Sequence, residues 1–320
     1  MGSLHKNIII IGSGPAGYTA AIYTSRANLF PLVFEGHQPG GQLTITTEVE
    51  NFPGFREGVM GPALMDEMCA QAKRLGAEIK AETVTSVDLG SRPFKVETDG
   101  GAYTCNAMII ATGASARWLG IGKDEELSRS GGGVSACATC DGFFYRGKEV
   151  AVVGGGDTAL EEAVYLTKHA SKVTLIHRRD ALRGSKIMQD RAMSNPKIEI
   201  AWNKVISQIM TETRDLPSGG QVERIKSLQL KDTVDSSYSE LKIDGLFVAI
   251  GHQPNTGLFQ GQLPVDENGY LITEKGSSRT SVPGVFACGD VQDHTYRQAI
   301  TAAGSGCMAA IDAERWLVET

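Results

Sequence analysis

Two cysteines separated by two residues, Cys137 and Cys140, are the side chains whose spacing most directly suggests chemistry. Such a pair can be half of a metal site, a redox-active pair or a coincidence of sequence. A structural zinc site needs about four ligands, but the sequence has no second CxxC or HxxxH pattern and its six histidines are scattered. We therefore predict no metal site and favour a redox dithiol.

Asp141 directly follows the second cysteine. If either cysteine begins a helix, the amide dipoles of that helix stabilise its thiolate. A carboxyl group at this place can supply the proton that is needed when a thiol leaves. The alternative for Asp141 is a helix cap or a turn residue. The catalytic candidates are thus Cys137, Cys140 and Asp141.

Two glycine-rich segments flank the cysteine pair. The first glycine segment is Gly12-Ser13-Gly14-Pro15-Ala16-Gly17, and the second is Gly154-Gly155-Gly156-Asp157-Thr158-Ala159. In this pattern the first glycine makes a tight strand-to-helix turn, the second lets a pyrophosphate approach and the third allows close packing of the helix. Each segment follows an apolar strand and opens a predicted helix, which favours two nucleotide sites over a glycine-rich turn in an unrelated fold.

The residues at the end of the next predicted strand differ between the two segments. Glu35 follows the first segment. Its carboxylate accepts hydrogen bonds from ribose hydroxyls and repels a 2′-phosphate, which indicates FAD or NAD. His177, Arg178 and Arg179 follow the second, with Arg183 one turn further. Guanidinium groups pair with phosphate dianions, so NADPH is favoured over NADH; the alternative is a solvated basic surface. The pattern predicts FAD first, NADPH second and the dithiol as a two-electron acceptor.

The elements that must position these residues form an internal repeat. Each copy reads strand, glycine segment, helix, strand and, much later, an apolar strand that ends in glycine. The glycine segments are offset by 142 residues, from Gly12 to Gly154, and the closing glycines by 138, from Gly113 to Gly251. We predict an α/β fold with two related doubly wound units of Rossmann type, the second inserted in the first.

The residues after Gly251 are too few for a third domain and are expected to return to the first unit. They include a helix predicted over 298–316, with its buried side at helical spacing on Ile300, Ala303, Met308, Ile311 and Leu317. The predicted domains are 1–116 with 248–320 for FAD and 117–247 for NADPH and the CxxC. Two linkers of this kind permit hinge rotation of one domain against the other.

Composition excludes some classes of function. The 320 residues suit one large or two medium domains, and the net charge of −6 argues against a nucleic-acid binder. No apolar run reaches the ~18 residues that span a bilayer, so no membrane partner and a cytoplasmic location are expected. The remaining cysteines are expected to be buried thiols: Cys69, Cys105, Cys288 and Cys307.

Together these motifs resemble the low-molecular-weight thioredoxin reductases, over essentially the whole chain and in order. The matching segments are GSGPAG at 12–17, GGQL at 40–43, ENFPGF at 50–55, ATGA at 111–114, CATCDG at 137–142, GGGDTA at 154–159, HRRDALR at 177–183, GVFACGD at 284–290 and YRQAITAAGSG at 296–306.

The resemblance implies an FAD-containing, NADPH-dependent homodimer that reduces thioredoxin. It implies that Cys140 lies nearer the flavin, that Cys137 exchanges with thioredoxin and that Asp141 is the acid. Around FAD it implies Gly12, Ser13, Gly14, Pro15, Ala16, Gly17, Glu35, Gly36, Gln42, Leu43, Asn51, Val84, Ala111, Thr112, Gly113, Asp290, Arg297, Gln298 and Ala299. Around NADPH it implies Gly154, Gly156, Asp157, Thr158, Ala159, His177, Arg178, Arg179, Arg183 and Ile250.

Two other functions stay open. One is a flavin-dependent reductase or oxidase of a different dithiol or disulfide, because the sequence barely constrains the docking partner. The other is a redox-sensing flavoprotein whose dithiol regulates a binding partner. Related ferredoxin–NADP reductases lack the CxxC, and flavin dithiol oxidases lose the basic NADPH cluster, whereas this chain has both.

Overall fold

The computed structural model describes residues 3–46, 48–215 and 220–320. Contacts between residues divide the chain into two compact units: unit 1, Met1–Ser115 with Gln253–Thr320, and unit 2, Ala116–His252. The first crossing falls close to the expected boundary at 116, but the second lies five residues after the expected one at 247. The reason is local, since the amide of Ala249 still donates to Val153 in the sheet of unit 2 (3.0 Å).

The elements follow the predicted repeat. The first segment of unit 1 carries β1 (Leu4–Ile11), α1 (Pro15–Arg26), β2 (Leu32–Phe34), β3 (Glu48–Val49), β4 (Val59–Met60), α2 (Gly61–Arg74), β5 (Glu78–Lys80), β6 (Val84–Asp88), β7 (Phe94–Thr98), β8 (Ala102–Ile110) and β9 (Ala114–Ala116). Unit 2 follows with α3 (Asp124–Arg129), β10 (Val134–Ser135), α4 (Ala138–Asp141), β11 (Glu149–Val153), α5 (Asp157–Leu166), β12 (Lys172–Ile176), α6 (Lys186–Met193), β13 (Ile198–Ala201), β14 (Lys204–Asp215), β15 (Gln221–Asp232), β16 (Tyr238–Lys242), β17 (Gly245–Val248) and β18 (His252–Pro254). The chain then returns to unit 1 with β19 (Val285–Ala287) and α7 (Ala299–Glu319).

A mainly parallel sheet forms the centre of unit 1. Its order is β5-β2-β1-β8-β7-β6, with β19 also paired to β8. The β1 residues 8–11 are all at most 4% exposed, and two apolar clusters cover the two faces of the sheet. Burial on both faces explains why β1 reads as a continuous apolar run rather than an alternating one.

Unit 2 repeats this plan with a smaller sheet. Its parallel order is β10-β17-β11-β12-β13, and a separate antiparallel sheet is formed by β14, β15 and β16. The strands that connect the two units, β9 and β18, pair with each other. The predicted α/β class with two related parallel-sheet units is confirmed.

The final helix α7 lies where it was predicted, but its buried side agrees only in part: Ala303 is buried as expected, and Leu317 packs against the core cluster that includes Ala302. Ile300 and Met308 are both 43% exposed, whereas the buried positions are small residues: Ala302, Ala303, Gly306, Ala309, Ala310 and Ala313. The cause is close packing against α1, because a Cβ on Gly306 would lie 2.2 Å from the carbonyl oxygen of Ala16. Large side chains do not fit such an approach, so the apolar spacing alone was misleading.

Candidate active site

In the first glycine segment, Gly12 and Gly17 are closely packed and Gly14 is open. A Cβ on Gly12 would lie 2.2 Å from the oxygen of Ala111, and one on Gly17 would lie 2.0 Å from the oxygen of Gly12. A Cβ on Gly14 would meet nothing within 4 Å. Gly14 caps the N-terminus of α1, and Pro15 follows in the first turn. The open position is where a pyrophosphate can approach unpaired backbone amides.

Glu35, just after β2, has its carboxylate oriented by a tyrosine. The Tyr18 hydroxyl donates a 2.6 Å hydrogen bond to Oε1 of Glu35. Burial and this contact raise the pKa of Tyr18, so it remains a neutral donor. Ser13 donates to the Glu35 carbonyl (3.3 Å) and accepts from the amide of Gly40 (3.0 Å). A carboxylate accepts through both oxygens, so this arrangement fits a ribose hydroxyl at the other one.

Other residues implied around FAD come together at the same segment. Gly41, next to Gln42 and Leu43, lies close to Gly14: a Cβ on Gly41 would be 3.1 Å from the Cα of Gly14. The turn before Asp290 is also near the first glycine segment, since a Cβ on Gly289 would lie 2.8 Å from the Cβ of Ala16.

Further residues implied around FAD are held in place by hydrogen bonds. The amide of Gly36 donates to Glu82, two residues before Val84 (3.1 Å). The loop 111–113 is fixed by Thr112, whose hydroxyl donates to the Asn255 carbonyl at 2.8 Å. Asn51 donates to the side chain of Gln298 at 3.2 Å, and Gln298 is the residue that caps α7 before Ala299.

Asp290 provides a direct test of whether this unit fits FAD. Its Oδ1 is buried and has no hydrogen-bond partner among the described residues. Burial, with a smaller effect of the Asp293 carboxylate, raises the pKa of Asp290 to about 6, while Arg297 opposes the change. A buried acceptor without a protein partner needs an explanation in a native fold. A ligand hydroxyl at this position supplies one, so the residues fit the cofactor.

The second glycine segment has the same geometry in unit 2. A Cβ on Gly154 would lie 2.4 Å from the oxygen of Ala249, whereas one on Gly156 would meet nothing within 4 Å. The third position is Ala159, which is fully buried. Asp157 accepts from the amide of Ser185 at 2.7 Å; Thr158, also implied in the site, follows it in the first turn of α5. The open glycine again lies at a helix N-terminus.

The arginine cluster, Arg178, Arg179 and Arg183, is exposed beside this segment. Among the described residues none of the three forms an ion pair. The amide of Arg183 donates to the carbonyl of Gly155 at 2.7 Å, so the cluster is tied to the glycine segment. Three uncompensated guanidinium groups suit a phosphate dianion. Ile250, also implied here, is 37% exposed.

His177 differs from the arginines, since it is only 3% exposed. Both of its ring nitrogens face backbone carbonyl oxygens inside unit 2. In this conformation the ring nitrogens are thus directed at the protein backbone, and a place for His177 in the NADPH site stays a prediction. The sequence placed the residue correctly, but the direction of its ring depends on tertiary contacts.

The two cysteines form a disulfide with Cα atoms 5.3 Å apart. Cys137 is the N-cap of α4, and its sulfur accepts from the amide of Cys140 at 3.2 Å. A donated amide hydrogen bond favours the thiolate form of Cys137 over the thiol once the disulfide is opened. Cys140 is exposed to solvent, so a partner can reach the pair.

Asp141 ends the short helix α4, which is capped by Cys137 and contains Cys140. Burial raises its pKa above the usual aspartate range, and a hydrogen bond with the Ser135 side chain works in the opposite direction. The Ser135 hydroxyl oxygen also accepts from the amide of Cys137 at 3.0 Å. Ser135 thus connects the acid to the backbone of the disulfide. A carboxyl group with a raised pKa next to a disulfide is suited to act as a general acid.

Sequence reasoning missed two residues of these sites, Tyr18 and Ser135. A signal for Tyr18 existed, because it is one turn from Gly14 on the helix that faces Glu35. Ser135 lies two residues before the CxxC and had no distinguishing pattern.

Within the three described ranges, no set of three His, Cys, Asp or Glu side chains is grouped as a metal site would require. No helix in those ranges is both long and apolar enough to cross a membrane.

Comparison with known proteins identifies the family. Residues 6–306 match the family model described as pyridine nucleotide-disulphide oxidoreductase. A thioredoxin reductase of Rickettsia felis is 55% identical over 97% of both chains. Two solved structures superpose closely: thioredoxin reductase from Giardia duodenalis (46% identity, 99% of this chain and 100% of that one, TM-score 0.89) and thioredoxin reductase from Streptococcus pyogenes (37%, all of both chains, TM-score 0.90).

The chain belongs to the pyridine nucleotide-disulphide oxidoreductases. The resemblance to low-molecular-weight thioredoxin reductases is confirmed, and so is the prediction of an oxidoreductase that uses FAD and NADPH.

Proposed function

We propose that this protein is a thioredoxin-disulfide reductase, in which unit 1 binds FAD and unit 2 binds NADPH and carries the redox disulfide. The observation that carries this proposal is the Cys137–Cys140 disulfide in the same unit as an open glycine segment and an uncompensated arginine cluster. The first glycine segment, Glu35 and Asp290 would hold FAD, which would supply two-electron transfer between the nicotinamide of NADPH and a disulfide. The residues of the chain provide the rest.

Opening the Cys137–Cys140 bond takes two electrons and two protons and gives two thiols. Asp141 is assigned as the acid that provides a proton to the departing sulfur, because burial raises the pKa of its carboxyl group. Cys140 is assigned to the flavin side. Cys137 is assigned to thioredoxin, because the amide of Cys140 stabilises its thiolate.

Transfer to thioredoxin then follows thiol–disulfide exchange. The Cys137 thiolate attacks a sulfur of the thioredoxin disulfide, which breaks that bond and forms a mixed disulfide. The Cys140 thiolate next attacks the Cys137 sulfur, which restores the internal disulfide and releases reduced thioredoxin. The two protons from the cysteine pair end on the two thioredoxin thiols, so electrons and protons balance.

A protein substrate is favoured by the surface beside the disulfide. Phe143 and Phe144 directly follow the motif and are 49% and 36% exposed. The guanidinium of Arg146 lies 4.6 Å from the Phe143 ring centre. Exposed aromatic side chains next to a reactive site are typical of protein interfaces. Phe143→Ala should raise the KM for thioredoxin and leave the reduction of a small aromatic disulfide unchanged; equal loss with both substrates would favour a small-molecule reductase.

A homodimer is part of the proposal, and the face formed by α1 and α7 is a candidate contact. Tyr23 on α1 is 44% exposed, and Ile300 and Met308 on α7 are 43% exposed. Light scattering at micromolar concentration tests the stoichiometry. We also propose a cytoplasmic location, where Cys69, Cys105, Cys288 and Cys307 would stay as the free thiols seen here.

The function is tested with a cysteine variant and a matched control. Cys140→Ser should abolish NADPH-dependent thioredoxin reduction but leave NADPH able to bleach the flavin absorbance. Cys105→Ala is the control, since Cys105 is fully buried in β8 and burial raises its pKa to about 12. If Cys140→Ser also stops flavin bleaching, the assigned order of electron transfer is wrong.

A further inference from the structure

The ring of His177 joins two parts of the proposed NADPH site. Its Nδ1 lies 2.9 Å from the carbonyl oxygen of Gly154, the first residue of the second glycine segment. Its Nε2 lies 2.9 Å from the carbonyl oxygen of Ala181, which stands between Arg179 and Arg183. One side chain therefore connects the phosphate-binding turn to the loop that carries the arginine cluster.

Gly155 shows how closely the ring is packed. A Cβ at this position would lie 2.2 Å from both Cε1 and Nδ1 of His177. Gly155 is at a variable position of the nucleotide-binding pattern, so phosphate contact alone does not require a glycine there. The middle one of the three consecutive glycines, Gly155, is explained by the histidine ring.

The loop of the arginine cluster is tied down at further points. Arg183 and Gly184 both donate their amides to the Gly155 carbonyl, at 2.7 and 3.2 Å. At the other end the Arg178 carbonyl accepts from the hydroxyl of Thr233 at 3.2 Å. His177 is the side chain that fixes the middle of this loop.

We propose that His177 is a positioning residue for the 2′-phosphate of NADPH: it holds the loop of the arginine cluster against the second glycine segment and does not itself contact the nucleotide. This inference rests on the proposed function, because it assumes that the arginine cluster binds that phosphate. A guanidinium group binds phosphate through directional paired hydrogen bonds, so displacement of the loop weakens the contact without removing any charge.

Carbonyl oxygens accept hydrogen bonds and do not donate them, so in either tautomer the imidazole donates to one of the two carbonyl oxygens, and the ring, packed beside Gly155, spans the distance between them. An asparagine can reach only one of the two carbonyl groups at a time. His177→Asn therefore keeps a polar side chain but breaks the connection between the two segments.

The test measures binding of two nucleotides to the full-length, FAD-loaded protein by calorimetry. Adenosine 2′,5′-bisphosphate and 5′-AMP differ only in the 2′-phosphate. The wild type should bind the bisphosphate at least about tenfold more tightly. In His177→Asn this ratio should fall about fivefold or more, with the Kd for 5′-AMP within about twofold of the wild type. His5→Asn, on β1 of unit 1, is the matched control and should leave the ratio unchanged.

The outcomes separate the two levels of the proposal. If the wild type does not prefer the bisphosphate, the NADPH assignment itself fails. If the wild type prefers it and His177→Asn keeps the full ratio, only the positioning role is overturned. An equal loss of affinity for both nucleotides would show a general structural role and would also overturn it.

A second variant covers the case in which His177→Asn does not fold. Gly155→Ala puts a methyl group where the ring now lies and leaves the histidine in the sequence. It should lower the same ratio, and an unchanged ratio in the folded Gly155→Ala protein would contradict the proposal. In steady-state assays either variant should raise the KM for NADPH much more than it lowers kcat.

Discussion

The two glycine segments share a backbone geometry but end in opposite charges. In unit 1 the amide of Gly12 donates to Phe34 at 2.9 Å, and that of Ala111 donates to Ile11 at 2.8 Å. In unit 2 the corresponding bonds, Gly154 to Ile176 and Ala249 to Val153, measure 3.1 and 3.0 Å. Each unit thus forms the turn with an equivalent pair of backbone hydrogen bonds between its strands.

The difference begins one strand later. Unit 1 places the carboxylate of Glu35 there, with Tyr18 as its donor, and unit 2 places three exposed guanidinium groups. We infer that the turn binds a pyrophosphate in general, while the strand end selects between a free ribose and a phosphorylated one.

The largest expected effect comes from the packed glycine of the shared turn. Gly12→Ala combines a φ of 110° with a Cβ 2.2 Å from a carbonyl oxygen, so it should lower the free energy of unfolding by roughly 3 kcal/mol or more. Gly14→Ala has open space and should leave the stability of the FAD-free protein nearly unchanged while weakening FAD binding. Urea unfolding and flavin content measure both; equal stability of the two variants would contradict the shared geometry.

A second prediction concerns removal of FAD. The pKa of Asp290 is raised from 3.8 to about 6 in the folded chain. The folded state therefore binds this proton more tightly than the unfolded state, and the stabilisation is lost as pH rises through about 6. The loss amounts to up to about 3 kcal/mol.

Thermal unfolding of the FAD-free protein between pH 4 and 8 should show this loss, and Asp290→Asn should remove it. A variant that retains the pH dependence would show that another group causes it.

The smallest effect is expected for Tyr18→Phe, which removes one hydrogen bond to Glu35. The loss should be about 1 kcal/mol, or roughly a fivefold rise in the Kd for FAD. Because Tyr18 belongs to unit 1, the KM for NADPH should not change. Fluorescence titration with FAD and steady-state kinetics test the two statements; a changed KM for NADPH with an unchanged Kd for FAD would reverse the assignment of the units.

Features set by local spacing were predicted well from the sequence. The glycine segments, their closing strands and the helix after residue 298 are all where the pattern indicated, since strand–turn–helix geometry is a property of neighbouring residues. The cysteine pair, predicted to be a redox dithiol, forms a disulfide.

Features set by tertiary approach were not predictable in this way. The buried face of α7 depends on how near Gly306 comes to Ala16, which apolar spacing does not encode. The ring of His177 turns inward to lie between the carbonyl oxygens of Gly154 and Ala181, and a basic run of sequence gives no sign of this. Tyr18 had a local signal in its place one turn after Gly14, but its hydrogen bond to Glu35 depends on how α1 packs beside β2.

The central claim is that strand-end charge, on a common turn, selects the nucleotide. Anaerobic stopped-flow measurement of flavin bleaching by NADPH and by NADH tests it, in the wild type and in Arg178→Ala/Arg179→Ala/Arg183→Ala. The wild type should prefer NADPH by about a hundredfold in second-order rate constant, and the triple variant should lose nearly all of this preference with little change in the NADH rate. A preference for NADPH that survives in the triple variant would contradict the account.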